Sequence, residues 1–248
     1  MIKNGYSEKI TVKYSEIDQN MAMKPFALLN FLQDITNENA EKWGFGISCL
    51  NPKNYTWFLI KYRMEFIEYP KDVRDLVLVT EPRGYNKLFA YRDYELYKKD
   101  KLIARMTSLW SIVDVQKRTM IPIATAIGEN KYLVPHDKRE DDLSFVKIPN
   151  ITNPELEKAF EVRYNDLDLN GHANNGNYIV WAFEPLDYEF RNKYHIKTLD
   201  MYYKKEAKYG EEFTSQVEFV DSNKTLHRLI NNNGEEICSI ACTWTNES

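Results

Sequence analysis

Cysteine is scarce in this chain of 248 residues, with three in all, Cys49, Cys238 and Cys242. The count is odd and the spacing fits no disulfide framework, so the sequence points to a reducing compartment. Glycine and proline number nine each, too few for a low-complexity or disordered chain. No apolar run approaches the roughly 18 residues that span a bilayer; Tyr178–Phe183 is among the longest. Met1 to Tyr6 carries no apolar stretch of the secretory type. Basic charge is not in excess: 33 Lys and Arg face 37 Asp and Glu, a net charge of −4. That disfavours a nucleic-acid binder as a class and leaves room only for a local basic patch. Several chemical motifs are missing too. Gly44 and Gly46 lack the third glycine of a dinucleotide fingerprint, and there is neither a phosphate-binding Gly-Lys-Ser/Thr loop nor a Gly-x-Ser-x-Gly elbow. Cys238 and Cys242 share one strand face with no histidine nearby in sequence, the pattern of a core rather than a metal site. The reading is a cytoplasmic globular protein without membrane insertion, metal or organic cofactor.

What the chain does have is aromatics, 14% of it, and an internal repeat. Val12-Lys-Tyr-Ser-Glu-Ile-Asp-Gln-Asn20 reads against Val162-Arg-Tyr-Asn-Asp-Leu-Asp-Leu-Asn170. Val12, Tyr14, Asp18 and Asn20 recur identically and three more positions in kind. Weaker echoes set Arg63-Met-Glu65 against Lys204-Lys-Glu206 and Ala104–Trp110 against Cys238–Trp244. Each copy opens with a short strand, near 8–14 and 159–165. A polar turn and a helix follow: Phe26–Trp43 behind Pro25, and Asn175 to about Tyr188, where Pro185 kinks or shortens it. Four strands complete each copy. In the first they are Thr56–Tyr69, Leu76–Tyr85, Leu88–Tyr97 and Leu102–Val115. In the second they are Leu199–Tyr209, Phe213–Asp221, Thr225–Ile230 and Glu236–Thr245, with Asn231-Asn-Asn-Gly234 as a hairpin turn. The chain divides into residues 1–131, a linker at 132–153 and residues 154–248. The charge run Asp137–Asp142 and His136 read as solvated, and His195 and His227 as surface or satisfied core. The fold class is α+β, an antiparallel sheet round a long helix in each copy.

One segment crowds polar groups at a strand-to-helix transition. Asp168, Asn170 and His172 alternate, and an extended backbone would put them on one face, with Leu167 and Leu169 turned into the core. An Asn/Asp-rich turn with Asn174 or Asn175 as helix N-cap is the plainer reading. The repeat distinguishes the copies: Ala22 stands where the second has His172, so the pattern is one active half and one degenerate half.

These residues resemble a family. Asp166-Leu-Asp168-Leu-Asn170-Gly-His172-Ala-Asn174-Asn175, followed by Tyr178, Trp181 and Glu184, is similar to the signature of the acyl-acyl carrier protein thioesterases of plants and bacteria. Tyr14-Ser-Glu-Ile, Leu29-Asn-Phe-Leu-Gln33, Trp57–Pro70 and Ser108-x-Trp110 extend the resemblance over nearly the whole chain. It implies two tandem hotdog domains, the first degenerate and the second catalytic. It also implies hydrolysis of fatty acyl carrier protein to free fatty acid, ending chain extension. Asp168, Asn170 and His172 fall on the family's catalytic positions, and Glu206 on a glutamate with a catalytic role. Ala207 replaces a cysteine once proposed as nucleophile, which leaves a carboxylate mechanism. Either Asp168 or Glu206 attacks or activates water, the Asn170 amide or backbone N–H groups at the helix N-terminus polarise the carbonyl, and His172 orients Asp168 or water. Trp57, Phe58 and Phe89 are candidates for the acyl channel. Lys204 and Lys205, with Arg63 and Arg163, are candidates for docking the acidic carrier protein. Coenzyme A thioester hydrolysis and non-catalytic acyl binding are the rival readings, and a homodimer is left open.

Overall fold

The computed structural model describes residue 2 and residues 5–246. The first copy runs β1 (Tyr6–Ile10), a single 3-10 turn at Tyr14–Glu16, helix α1 (Pro25–Lys42), a short α2 (Ile47–Leu50), then β2 (Tyr55–Phe66), β3 (Leu76–Tyr85), β4 (Ala90–Lys98) and β5 (Lys101–Asp114). A short β6 (Thr119–Ile121) and α3 (Ile123–Ile127) follow. The second copy runs β7 (Leu156–Glu161), a 3-10 turn at Tyr164–Asp166, α4 (Asn175–Phe183), α5 (Tyr188–Lys193), β8 (His195–Tyr203), β9 (Glu212–Asp221), β10 (Lys224–Asn231) and β11 (Glu236–Thr245). Pro25 takes the first turn of α1, where its missing N–H costs nothing. Pro185 separates α4 from α5, as the ring forbids a continuous helix. No helix among the described residues is long and apolar enough to cross a membrane.

Among the described residues all eleven strands belong to one antiparallel sheet, in the order β1-β3-β4-β5-β2-β8-β11-β10-β9-β7 with β6 on β5. The two copies are mirror halves of that order and meet where β2 pairs with β8, Lys61 opposite Tyr202 through Glu65 opposite Thr198. Alternation along β2 buries Tyr62, Met64 and Phe66 under the helices and turns Lys61, Arg63 and Glu65 outward. On the outer face Arg63 donates to both carboxylate oxygens of Asp200 at 3.0 and 2.8 Å. On the inner face α1 packs against α4. Gly176 permits this: a Cβ there would lie 2.8 Å from Asn30 Oδ1 and 3.0 Å from the Phe26 ring.

The structure corrects three readings of the sequence. The segment 132–153 joins the two copies, but it is fastened to the sheet rather than wholly solvated. His136 N–H donates to Tyr85 O at 2.8 Å, its Nδ1 bonds Arg83 O, and its ring stacks on Tyr91. Arg139 makes a two-pronged contact with Glu81, and Asp142 accepts from Arg83 at 2.6 Å. Charged groups of β3 and β5 find partners in the charge run: Glu81 and Arg83 as above, and Arg105, which donates to Asp141 O at 2.6 Å. Second, β8 begins at His195 and ends at Tyr203, several residues earlier than alternation predicts. Third, the echo of Arg63-Met-Glu65 in Lys204-Lys-Glu206 is not a structural equivalence. Leu59 faces Trp110 and Ile196 faces Trp244, each beside a one-residue bulge. Met23 donates to Pro70 O as Ala173 donates to Ala207 O, and Ala22 bridges Lys71 as His172 bridges Lys208. Glu206 is therefore the counterpart of Tyr69, and Ala207 of Pro70.

Cys238 and Cys242 are buried in the core, as their spacing predicts. So is His227, fully satisfied. Its Nε2 shares a hydrogen bond of 2.7 Å with Thr225 Oγ1, its Nδ1 one of 2.7 Å with Ala182 O, and Trp244 Nε1 donates to Thr225 Oγ1 at 2.7 Å. A neutral ring with the proton on Nδ1 satisfies every partner. Burial lowers its pKa from 6.5 to about 4. The unfolded chain thus takes the proton first. The stability tied to His227 is complete above about pH 6.5 and is lost as pH falls toward 4, by about 2 kcal/mol at pH 5. Urea unfolding at pH 7 and pH 5 should show this loss in the wild type and a smaller one in His227→Gln; equal losses would remove His227 as the cause.

Candidate active site

The segment between the second 3-10 turn and α4 is a tight hairpin, not an extended run. Leu167 bridges Ala173, Asp168 N–H donates to His172 O at 2.7 Å, and Gly171 N–H returns to Asp168 O at 3.1 Å. Gly171 has φ +74°, the left-handed conformation that turns the chain and breaks the alternation expected of Asp168, Asn170 and His172. Leu169 is accordingly 85% exposed rather than in the core. The Asp168 carboxylate fastens the turn: Oδ1 accepts from Asn170 N–H at 2.8 Å and from His172 N–H at 3.3 Å. Asn174 caps α4 by accepting from Gly176 N–H at 2.7 Å.

The structure brings His172 and Glu206 together, Nε2 to Oε2 at 3.5 Å, both side chains partly exposed. Glu206 sits just past the end of β8, on a stretch where Lys204 and Lys205 both donate their N–H to Ile237 O. Strand alternation does not extend there. The two lysines are not free cations: Lys204 Nζ lies 2.8 Å from Glu236 Oε1 and Lys205 is paired with Glu235. Arg63 is committed to Asp200 and Glu65, and Arg163 to Asp166. Sequence reasoning missed Lys208. Its main chain bridges His172, it is exposed, and its ammonium has no acidic partner among the described residues. A search for lysines one strand step beyond Glu206 would have found it.

Of the proposed channel residues, only Trp57 packs against the core, its indole N–H donating to Phe45 O at 2.8 Å. Phe58 alternates to the other face of β2, and Phe89 lies in the β3–β4 turn, where its N–H donates to Asn86 Oδ1. An open depression of about 730 Å³ is lined by Tyr85, Leu133, Val134, Pro135 and their neighbours and shares no residue with the His172–Glu206 pair.

The first copy repeats the turn without a counterpart of the His172–Glu206 contact. Asp18 Oδ1 accepts from Asn20 N–H at 2.9 Å and Ala22 N–H at 3.0 Å, and Met21 takes the left-handed conformation with φ 59°. Ala22 and Tyr69 stand where the second copy has His172 and Glu206. The asparagines differ as well. Asn20 Nδ2 donates to Asn192 O and Oδ1 on α5 at 3.3 and 2.8 Å, whereas the Asn170 amide has no partner among the described residues. Asn20→Ala should therefore lower stability by about 1 kcal/mol, while Asn170→Ala should change it by less than about 0.5 kcal/mol. Thermal or urea unfolding of both variants checks this, and equal losses would contradict the difference between the two sites.

Comparison with known proteins agrees with this architecture. The model of the acyl-ACP thioesterase N-terminal domain (ACP, acyl carrier protein) matches residues 3–130, and that of the C-terminal domain residues 150–246. A chloroplastic oleoyl-acyl carrier protein thioesterase of Coriandrum sativum is 24% identical over 93% of this chain and 67% of its own length. The crystal structure of an acyl-ACP thioesterase from Bacteroides thetaiotaomicron covers 98% of this chain and 97% of its own, with a TM-score of 0.81 at 23% identity. The 12:0-ACP thioesterase from Umbellularia californica covers 98% of each chain, with a TM-score of 0.85 at 17% identity. These likenesses show a shared tandem hotdog fold. With both halves matched by the two domain models, the chain belongs to the acyl-ACP thioesterase family.

Proposed function

We propose that this chain hydrolyses fatty acyl thioesters of acyl carrier protein to free fatty acid, and that the chemistry is confined to the second copy. The observation that carries the reading is the His172–Glu206 contact of 3.5 Å beside the turn that presents Asp168 and Asn170. A thioester needs an attacking oxygen and donors for the developing oxyanion, because thiolate is a good leaving group. In this reading Glu206 takes the proton of the attacking water, and His172 holds Glu206 in place. Asp168 has committed Oδ1 to the turn and offers Oδ2 as a second acceptor for the same water. The unengaged Asn170 amide donates to the carbonyl oxygen, a contribution on the scale of 2.7–4 kcal/mol for one positioned donor. Tyr69 stacks on His195, and the relation that carries Tyr69 onto Glu206 carries His195 onto Phe58. Phe58 is accordingly assigned to the wall of the catalytic cleft, and Trp57 to the start of the acyl path beneath α1. Three free cysteines support the cytoplasmic assignment.

The chain and the carrier would both be acidic, so docking needs a local cation. With Lys204 and Lys205 compensated, that role passes to Lys208 beside His172. The test is thiol release from chain-length-matched acyl-ACP and acyl-coenzyme A substrates across a salt series. Wild-type kcat/KM should be higher on the carrier substrate and should fall with ionic strength more steeply than kcat. Glu206→Gln should lose about 10²-fold or more on both. A preference for coenzyme A would favour the rival thioesterase reading, and full activity of Glu206→Gln would overturn the proposed chemistry.

A further inference from the structure

Glu206 lies beyond the last residue of β8, on a stretch whose own pairing is sparse, yet its position relative to His172 must be fixed to be useful. Below it lies Tyr178, on α4 and 2% exposed. The Tyr178 hydroxyl accepts from Ala207 N–H at 2.8 Å and donates to Lys205 O at 3.3 Å. It therefore holds the main chain on both sides of the glutamate. The ring is in turn set by Tyr203, edge-on at 5.4 Å, and by Trp181 at 5.4 Å. The first copy lacks both ends of this clamp. Leu28 occupies the α1 position equivalent to Tyr178 and has no hydroxyl. Pro70 occupies the position of Ala207 and has no N–H. The tie that the copies share, Ala173 N–H to Ala207 O and Met23 N–H to Pro70 O, is kept in both. The clamp thus occurs only in the copy that has His172 and Glu206, and a purely architectural contact would have no reason to follow them.

We propose that Tyr178 is a positioning residue for Glu206, acting through the main chain of Lys205 and Ala207. This rests on Glu206 being catalytic. Removing the hydroxyl leaves a buried N–H unpaired and frees the glutamate to drift, and displacements of about 1 Å cost up to 10²-fold in rate. Tyr178→Phe should lower kcat about 10-fold with KM within twofold. Tyr62→Phe is the control, since Tyr62 is equally buried but its hydroxyl bonds no main-chain group beside Glu206; its kcat should not change. In a chain already carrying Glu206→Gln, adding Tyr178→Phe should cost nothing further, because the residue acts through Glu206. Where Tyr178→Phe fails to fold, Ala207→Pro removes the same bond from the other end, as Pro70 does in the first copy, and should give the same kcat loss. Unchanged kcat in Tyr178→Phe, or an equal loss with and without Glu206→Gln, overturns the proposal alone. Wild-type turnover by Glu206→Gln overturns both the proposal and the catalytic reading beneath it.

Discussion

The pairing of β2 with β8 is the constraint from which the rest of the molecule follows. Each copy alone would end in an exposed strand edge, β2 in one and β8 in the other, with a row of unpaired N–H and C=O groups. Joining them satisfies both edges and makes one sheet of two. It also fixes the register, because Arg63 on one strand meets Asp200 on the other, both largely buried on the outer face. A slip of one residue would turn Arg63 into the core and leave Asp200 unpaired. On the inner face the same join brings α1 onto α4. Phe26 and Asn30 then approach a position that only glycine can occupy.

Within that frame the two copies keep the same local device and diverge in what they hang on it. Asp18 and Asp168 each accept two backbone N–H groups and close the same turn, so the aspartate at this place has a structural duty in both. What differs is the set of groups around it. The first copy carries Ala22, Tyr69, Leu28 and Pro70, and Asn20 is spent on α5. The second carries His172, Glu206, Tyr178 and Ala207, and the Asn170 side-chain amide has no partner among the described residues. Four coordinated differences at equivalent positions are hard to reconcile with a turn that does nothing but turn.

Much of this was legible in the sequence. The Asp-x-Asn repeat survives because the turn demands an acceptor for two amides, and that demand is visible in any chain that makes it. Asn231–Gly234 declares its hairpin through Gly234, which takes φ 75°. The candidate residues Asp168, Asn170 and His172 lie on one turn, and His172 meets Glu206. The reason given for their gathering was wrong: alternation cannot hold through Gly171. Alternation runs on past Tyr203 and placed β8 too late, and the charge echo at Lys204–Glu206 is a likeness of composition that carries no register. The bulges beside Leu59 and Ile196, which set it, leave no mark in composition. The run Asp137–Asp142 looked solvated because its partners, Glu81, Arg83 and Arg105, are remote in sequence.

The claim that one copy alone performs the chemistry is tested most directly by a matched pair of substitutions, Asp18→Asn and Asp168→Asn, assayed for thioester hydrolysis. An asparagine oxygen still accepts from both backbone amides, so each turn keeps its hydrogen bonds while the charge and the second acceptor oxygen are lost. Asp168→Asn should lower kcat/KM by about 10²-fold or more, and Asp18→Asn should change it within about threefold. Equal losses from the two, or near-wild-type turnover by Asp168→Asn, would contradict the claim.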